Sequence, residues 1–252
     1  MTIKKSIQLI AIILFTNNLS AQTTVGVDKP MQFGFKISPN LTWAKIKSGP
    51  AEGNGVGLGF SYGLMADFKL SENAFFSPEI LITSMKNSIN LKDSFYQGDG
   101  SVGSYYNNIE QNFKFQYLQI PLTIKMKTNA INGMRYTFQA GVAPSVLLSR
   151  NFRIKADRAI GNNDEWVSPN GTGNDAGDFV LDPNNPNSKS FSNNIGLFRV
   201  PLVLGAGIEY NLSGNTALVA GIRWDNGFTD IFRDKNVTGI NNYLGLTVGI
   251  LF

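Results

Sequence analysis

The sequence predicts an all-β protein: an eight-stranded antiparallel up-and-down transmembrane β-barrel with long extracellular loops and short periplasmic turns. Three observations predict it. Segments of alternating apolar and polar residues recur along the chain, the connections between them alternate in length, and an export signal precedes them. Alternation of period two is the pattern of a strand with one apolar face. Segments of about ten residues with this pattern, separated by turn residues, are typical of outer-membrane barrels.

Residues 1–21 predict a cleaved secretory signal peptide. Lys4 and Lys5 form its basic end, 7–15 its apolar stretch, and 19–21 its cleavage site. The alternative, an anchoring helix, is disfavoured because a span needs about 20 apolar residues. We expect a periplasmic segment at 22–30 and a barrel domain at 31–252, in the outer membrane of a Gram-negative cell envelope.

The first three predicted strands are 31–43, 58–70 and 75–87. In the first, every odd position is apolar and every even position is polar or glycine. The second alternates large apolar residues with mostly small or charged ones, and the third shows the same pattern more weakly. Each is long enough to cross a bilayer at a tilt, which takes about 9–11 residues.

The remaining predicted strands are 115–127, 136–149, 198–212, 217–228 and 242–252, each with one apolar face. The connections at 71–74, 129–133 and 213–215 are short, and those at 44–57, 88–114, 150–197 and 229–241 are long. Long loops outside and tight turns in the periplasm are typical of outer-membrane barrels. An even number of strands places both termini on the periplasmic side.

The polarity of the two faces distinguishes a membrane barrel from a soluble one. A soluble lipocalin-type barrel has an apolar interior, whereas a membrane barrel turns its apolar face to lipid. The other face of each predicted strand carries glycine, serine, threonine and charged residues. A polar inner face of this kind favours the membrane barrel. Aromatic residues near the strand ends predict interfacial girdles; they are Trp43, Tyr62, Phe68, Tyr136, Tyr210 and Trp224.

Five basic and four acidic residues fall on the predicted inner faces. An eight-stranded barrel is only wide enough inside for side chains, and buried charges must pair. We therefore predict a charge network that fills the lumen, with Arg199, Glu209, Arg223 and Asp225 as near neighbours. The alternative is a gate or a narrow path for protons or ions. The predicted network consists of Lys36, Asp67, Lys69, Glu79, Lys125, Arg199, Glu209, Arg223 and Asp225.

The chain contains no histidine and no cysteine. This excludes thiolate metal sites and the histidine bases that membrane-barrel hydrolases use, and no nucleophile-elbow or phosphate-loop motif occurs. We predict no enzyme and no cofactor, although Asp67 with Glu79 could form an acid–base pair. The net charge of +4 falls to +2 when Lys4 and Lys5 are removed, so nothing indicates nucleic acid.

The long connection 150–197 is rich in Asn, Asp, Gly and Pro. Its carboxylates could bind calcium, but they lack the ordered spacing of a calcium loop. Trp166 and Phe179 are its candidates for contact with something outside the cell. Three roles stay open: an accessory envelope protein, a transport path, or a surface adhesin or receptor that uses this loop.

The stretch Tyr117–Leu122 reads YLQIPL and is similar to the YLEIPL signature of the PorT-like outer-membrane β-barrel proteins, with Gln119 in place of glutamate. Residues 34–41, 77–81, 205–207 and 245–252 resemble further parts of that family. The resemblance implies an eight-stranded barrel without catalytic residues. A founding member assists protein secretion, so envelope or secretion proteins are the implied partners, beside membrane lipid.

The resemblance also implies insertion by the barrel-assembly machinery, which reads an aromatic-ended terminal strand. The corresponding residues here are Leu244, Leu246, Val248, Ile250 and Phe252.

Overall fold

The structure is a computed structural model that describes residues 30–48, 51–91, 95–98, 103–159, 165–167, 195–213, 216–232 and 238–252. The predicted signal peptide lies outside these ranges, within which no helix is long and apolar enough to cross a membrane. The strands that they contain are β1 (Met31–Ser48), β2 (Ala51–Gly53), β3 (Gly57–Lys69), β4 (Ala74–Leu91), β5 (Phe95–Gly98), β6 (Gly103–Gln119), β7 (Leu122–Lys127), β8 (Met134–Val142), β9 (Ser145–Ala159), β10 (Glu165–Val167), β11 (Phe198–Arg199), β12 (Pro201–Ser213), β13 (Thr216–Gly227) and β14 (Thr238–Leu251).

Eight of these strands pair antiparallel in a closed ring. The order is β1, β3, β4, β7, β8, β12, β13 and β14, and β14 pairs again with β1. The connections β3–β4, β7–β8 and β12–β13 are short and lie at the same end as Met31 and Phe252. We call this end of the ring the turn end and the opposite one the loop end.

Side chains alternate around the ring wall as the sequence predicted. On β1, Phe33, Phe35 and Ile37 are 50–60% exposed on the outer face, whereas Lys36 and Ser38 on the other face are buried. The same alternation holds on β14, where the outward residues of the predicted terminal signal are exposed. Apolar side chains therefore cover the outside of the ring, and its inside holds most of the polar ones together with a few apolar side chains such as Met65 and Leu251.

Prolines interrupt three of the predicted strands. Predicted strand four divides into β6 and β7 at Pro121, strand five into β8 and β9 at Pro144, and strand six into β11 and β12 before Pro201. Proline has no N–H to give to a sheet. The breaks are adjacent, since the amide of Ile120 donates to the carbonyl of Pro144 and that of Ala143 to the carbonyl of Pro201 (2.8 and 3.0 Å).

Toward the loop end, several strands extend into segments predicted as loops. β1 extends to Ser48, β4 to Leu91 and β9 to Ala159, and β6 begins already at Gly103. The prediction that 44–57, 88–114, 150–197 and 229–241 are loops throughout is therefore wrong, since β14 also begins already at Thr238. β2, β5 and β10 lie in the same segments and pair with the extended strands.

The two faces of β4 and β6 exchange polarity along their length, which explains the error. Toward the turn end the outward residues are apolar, ending at the cross-strand pair Ile82 and Leu118. Beyond it the outward residues are polar, and large apolar residues such as Met85 and Phe115 turn inward and are buried. The sequence prediction follows apolar residues on the outward face, so the predicted strand ends where that face becomes polar.

Glycines allow the strands to approach closely at one place in the wall. Gly207 on β12 lies opposite Gly221 on β13. A Cβ added to Gly221 would lie 3.0 Å from the Cα of Gly207 and 2.6 Å from the carbonyl oxygen of Ala206. A larger residue at Gly221 would therefore push the two strands apart.

Candidate functional site

Ion pairs fill the inside of the ring near the turn end. On β7, Lys125 and Lys127 each place an Nζ 2.8 Å from a carboxylate oxygen of Asp67 on β3. Lys127 also pairs with Glu209 on β12 at 2.8 Å, and Lys125 lies 3.7 Å from the same carboxylate. The hydroxyl of Ser77 donates to Asp67 at 2.6 Å. Three strands that are not neighbours in the ring are thus linked through the lumen.

A second group of ion pairs lies at mid-height and is centred on Glu79 of β4. Its Oε2 is 2.6 Å from Nζ of Lys36 on β1 and 2.8 Å from Nη1 of Arg223 on β13. All three side chains are at most 3% exposed. One carboxylate oxygen on β4 therefore accepts from two cations that lie on β1 and β13, the two strands that flank β14.

The third group, toward the loop end, is centred on Asp225 of β13. Its carboxylate pairs with Arg199, lies 3.9 Å from Nη2 of Arg223, and accepts from the amide of Gln119 at 2.8 Å. Arg223 thus joins the second group to the third. Arg199 also donates to the backbone carbonyl of Asn241 at 2.8 Å.

Neutral polar side chains extend this arrangement. The Oε1 of Gln119 accepts from the hydroxyls of Thr83 (3.0 Å) and Tyr243 (3.3 Å). Asn87 donates to the side-chain oxygen of Asn241 at 2.8 Å. Strands β4, β6 and β14 are joined across the lumen in this way.

We call the buried charged side chains the lumen network. In the described part of the chain it holds five basic and four acidic residues: Lys36, Asp67, Glu79, Lys125, Lys127, Arg199, Glu209, Arg223 and Asp225.

The membership differs from the sequence prediction at two positions. Lys69, predicted inside, is only half-buried at the turn end and is not among the buried side chains. Lys127 takes its place and is 3% exposed. Lys127 lies two residues after Lys125 and therefore on the same face of the strand. Following the alternation for two more residues would have identified it.

The predicted neighbourhood of four residues is also only partly present. Arg199, Arg223 and Asp225 come together, but Glu209 lies at the turn end and pairs with Lys125 and Lys127. The register explains the separation, because Glu209 is opposite Val219 whereas Val203 is opposite Asp225. Residues close in sequence on a hairpin can lie far apart along the barrel axis.

The two carboxylates that could have formed an acid–base pair, Asp67 and Glu79, have separate partners. Asp67 pairs with Lys125 and Lys127, and Glu79 with Lys36 and Arg223. Each is held by two cations, which is the arrangement of a structural ion pair. In the ranges that the structure covers, no group of three or more acidic residues could hold a metal ion.

An apolar group, the mouth cluster, lies at the loop end of the lumen. Ile195 forms an antiparallel β-bridge with Phe232, and the amide of Gly196 donates to the carbonyl of Ile231 at 2.7 Å. Phe113 and Phe115 stack beneath them with ring centroids 5.7 Å apart. The mouth cluster comprises Ala44, Ala51, Met85, Ile89, Phe113, Phe115, Tyr117, Ile195, Ile231, Phe232 and Tyr243.

One small cavity remains beside the lumen network. It has a volume of about 30 Å³ and is lined by Lys36, Glu79, Lys125, Thr137 and Gln139, among others. This is room for about one or two water molecules.

The other predicted contact residues lie at the edge of the described chain. Trp166 is in β10, whose backbone pairs with β9 opposite Asp157. Phe179 lies outside the described residues. The terminal strand is fully described: Leu244, Leu246, Val248, Ile250 and Phe252 are all exposed on the outer face.

A family model described as outer membrane protein beta-barrel domain matches residues 17–233. Among solved structures, Neisserial surface protein A is 14% identical over 88% of this chain and 96% of that one, with a TM-score of 0.43. OprG from Pseudomonas aeruginosa is 10% identical over 89% and 97%, with a TM-score of 0.42. The attachment invasion locus protein Ail of Yersinia pestis is 11% identical over 88% and 99%, with a TM-score of 0.34. No curated protein matches the sequence.

Proposed function

We propose, since the chain belongs to the outer membrane protein beta-barrel domain family, that it is a non-enzymatic, non-conducting barrel with a structural or accessory role in the cell envelope. The ring of eight strands spans the outer membrane in this proposal. The short connections and both termini face the periplasm, and the long connections face outward. The exposed apolar outer wall supports this placement, because only lipid makes such a wall favourable.

The observation that carries the proposal is the lumen network. Its ion pairs run from Lys127 at the turn end to Arg199 near the loop end, and the mouth cluster lies above it. Breaking a buried pair leaves an uncompensated charge and costs about 3–5 kcal/mol. Opening a continuous water path requires several such breaks together with displacement of the mouth cluster, so the closed lumen is strongly preferred.

Planar-bilayer recording of the purified protein tests this proposal. We expect no steady conductance steps from the native chain. The control is the triple variant Lys36→Ala, Glu79→Ala, Arg223→Ala, which removes the middle of the lumen network. When Phe232→Ala is added to open the mouth cluster, this variant should conduct. Large, steady steps from the native chain would refute a closed lumen. Selective proton flux without such steps would support a narrow proton path through the small cavity instead.

We also propose that the chain is a PorT-like barrel that assists protein export, inserted by the barrel-assembly machinery. The YLQIPL stretch supports this in one respect: Gln119 within it joins the third ion-pair group, so the motif has a structural task in the lumen. A deletion strain tests the role. Loss of particular secreted proteins supports export, whereas altered solute uptake or lost attachment would instead favour transport or adhesion.

A further inference from the structure

Two lysines lie at the height where the outer wall changes from apolar to polar. On β4 and β6 the cross-strand pairs, moving toward the loop end, are Ile82 with Leu118, Ser84 with Gln116, and Lys86 with Lys114. Both lysines are exposed. In a membrane barrel the end of the apolar band marks the end of the hydrocarbon layer. The lysines therefore lie just beyond it, at the level of the lipid headgroups.

The arrangement of these two lysines is unfavourable without an anion. Side chains directly opposite on an antiparallel pair have Cβ atoms about 5 Å apart, and like charges there are destabilising. Neither lysine forms an ion pair with another residue in the described ranges. The carboxylate that follows on β6, Glu110, already accepts from Ser88 and Asn112 at 3.1 and 3.0 Å.

The surroundings of the pair suit the headgroup end of a lipid. Ser84 and Gln116 lie between the lysines and the apolar wall, and Asn151 on β9 lies opposite Lys114. These side chains can donate hydrogen bonds to phosphate or sugar oxygens. On the other side of them, the apolar outer wall provides a surface along which acyl chains can lie.

We propose that Lys86 and Lys114 form a binding site for the phosphate of an anionic lipid headgroup in the surrounding leaflet. The site rests on the proposed membrane placement of the ring. One phosphate between the two ammonium groups removes their repulsion and makes two charge-assisted contacts, while the lipid's own chains stay in the bilayer. Charge complementarity and position at the polarity change both favour a membrane phospholipid or phosphoglycolipid over a protein partner.

Native mass spectrometry of the folded protein in neutral detergent tests the site, with phosphatidic acid and phosphatidylcholine of equal chain length as probes. We expect native protein to prefer phosphatidic acid. Lys86→Gln and Lys114→Gln should each weaken that binding about fivefold, the weight of one basic residue near an anionic membrane surface. The matched control is Lys47→Gln, an exposed lysine of the same end on β1, which should change binding less than about twofold.

A second measurement separates a specific site from general attraction. In phosphatidylcholine vesicles, either single glutamine variant should resist urea better than the native chain, because the repulsion is gone. In vesicles containing phosphatidic acid, the order should reverse. Equal binding of both lipids, an equal loss with Lys47→Gln, or displacement by millimolar inorganic phosphate would each overturn the lipid site. Those results, obtained with a barrel that inserts normally, leave the proposed function standing; a chain that fails to insert contradicts both.

Discussion

Glu79 provides the sharpest test of the lumen network. One of its two carboxylate oxygens, Oε2, accepts both from Lys36 at 2.6 Å and from Arg223 at 2.8 Å, and the side chain is 3% exposed. Glu79→Gln keeps the shape of the side chain and removes its charge, leaving two buried cations without their shared partner. Removing one member of a buried pair costs about 3–5 kcal/mol.

We expect the free energy of unfolding to fall by about 4 kcal/mol. Because two cations lose their partner, the loss of stability is larger than for a single pair. Water entering the small cavity beside Lys36 and Glu79 makes the loss smaller. The measurement is a reversible urea titration in phosphatidylcholine vesicles, followed by tryptophan fluorescence. Glu72→Gln, an exposed change in the turn after β3, is the control and should stay within about 0.5 kcal/mol.

A double variant adds a check on the cause. Replacing Glu79 and Lys36 together by Leu and Met removes a charge of each sign, so at least half of the lost stability should return. A loss of less than about 1 kcal/mol for Glu79→Gln, the range of a surface ion pair, would show that the lumen is wet and that burial is not what holds these charges together.

Three further predictions test the apolar wall, the pair of facing glycines within it and the mouth cluster. Leu246→Arg, on the outer face of β14, should cost about 2–4 kcal/mol in vesicles, whereas Leu70→Arg at the turn end should cost about 0–1 kcal/mol; equal costs would mean that no lipid surrounds the wall. Gly221→Val should lose at least about 1–3 kcal/mol through overpacking while its neighbour Ala220→Val folds normally, judged by the folded fraction on unboiled gels. Phe115→Ala should lower the free energy of unfolding by about 3–5 kcal/mol, and an unchanged urea midpoint would show that the mouth cluster is not a packed core.

The alternation of side chains in the ring was predictable because lipid imposes it. Every side chain that faces lipid must be apolar. Side chains inside a narrow barrel must be small or, when they are charged, paired. The positions of Lys36, Glu79, Arg223 and Asp225 follow from parity alone. Which cation pairs with which carboxylate does not, because partners such as Lys125 and Asp67 are distant in sequence and meet only through the register of the closed ring.

The parts beyond the ring could not be found by the same pattern. Past Ile82 on β4 the outward residues face water, so apolar side chains such as Met85 turn inward, as in a soluble barrel. The outward apolar residues that identify a membrane strand end there, although the strand continues to Leu91. Proline breaks were likewise hidden, because Pro121 does not disturb the parity of the residues on either side.

The ring closes by pairing the first strand with the last. Gly34 lies opposite Leu251, and the amide of Phe252 donates to the carbonyl of Phe33 at 2.7 Å. Contacts between the two ends of a chain form slowly, since the whole intervening length must be brought together first. A ring that lacks even one of its strands would keep two unpaired sheet edges, and strands of other chains can pair with such edges. Until β14 is in place the ring therefore has two open sheet edges, and the folding chain depends on whatever keeps such edges away from other strands.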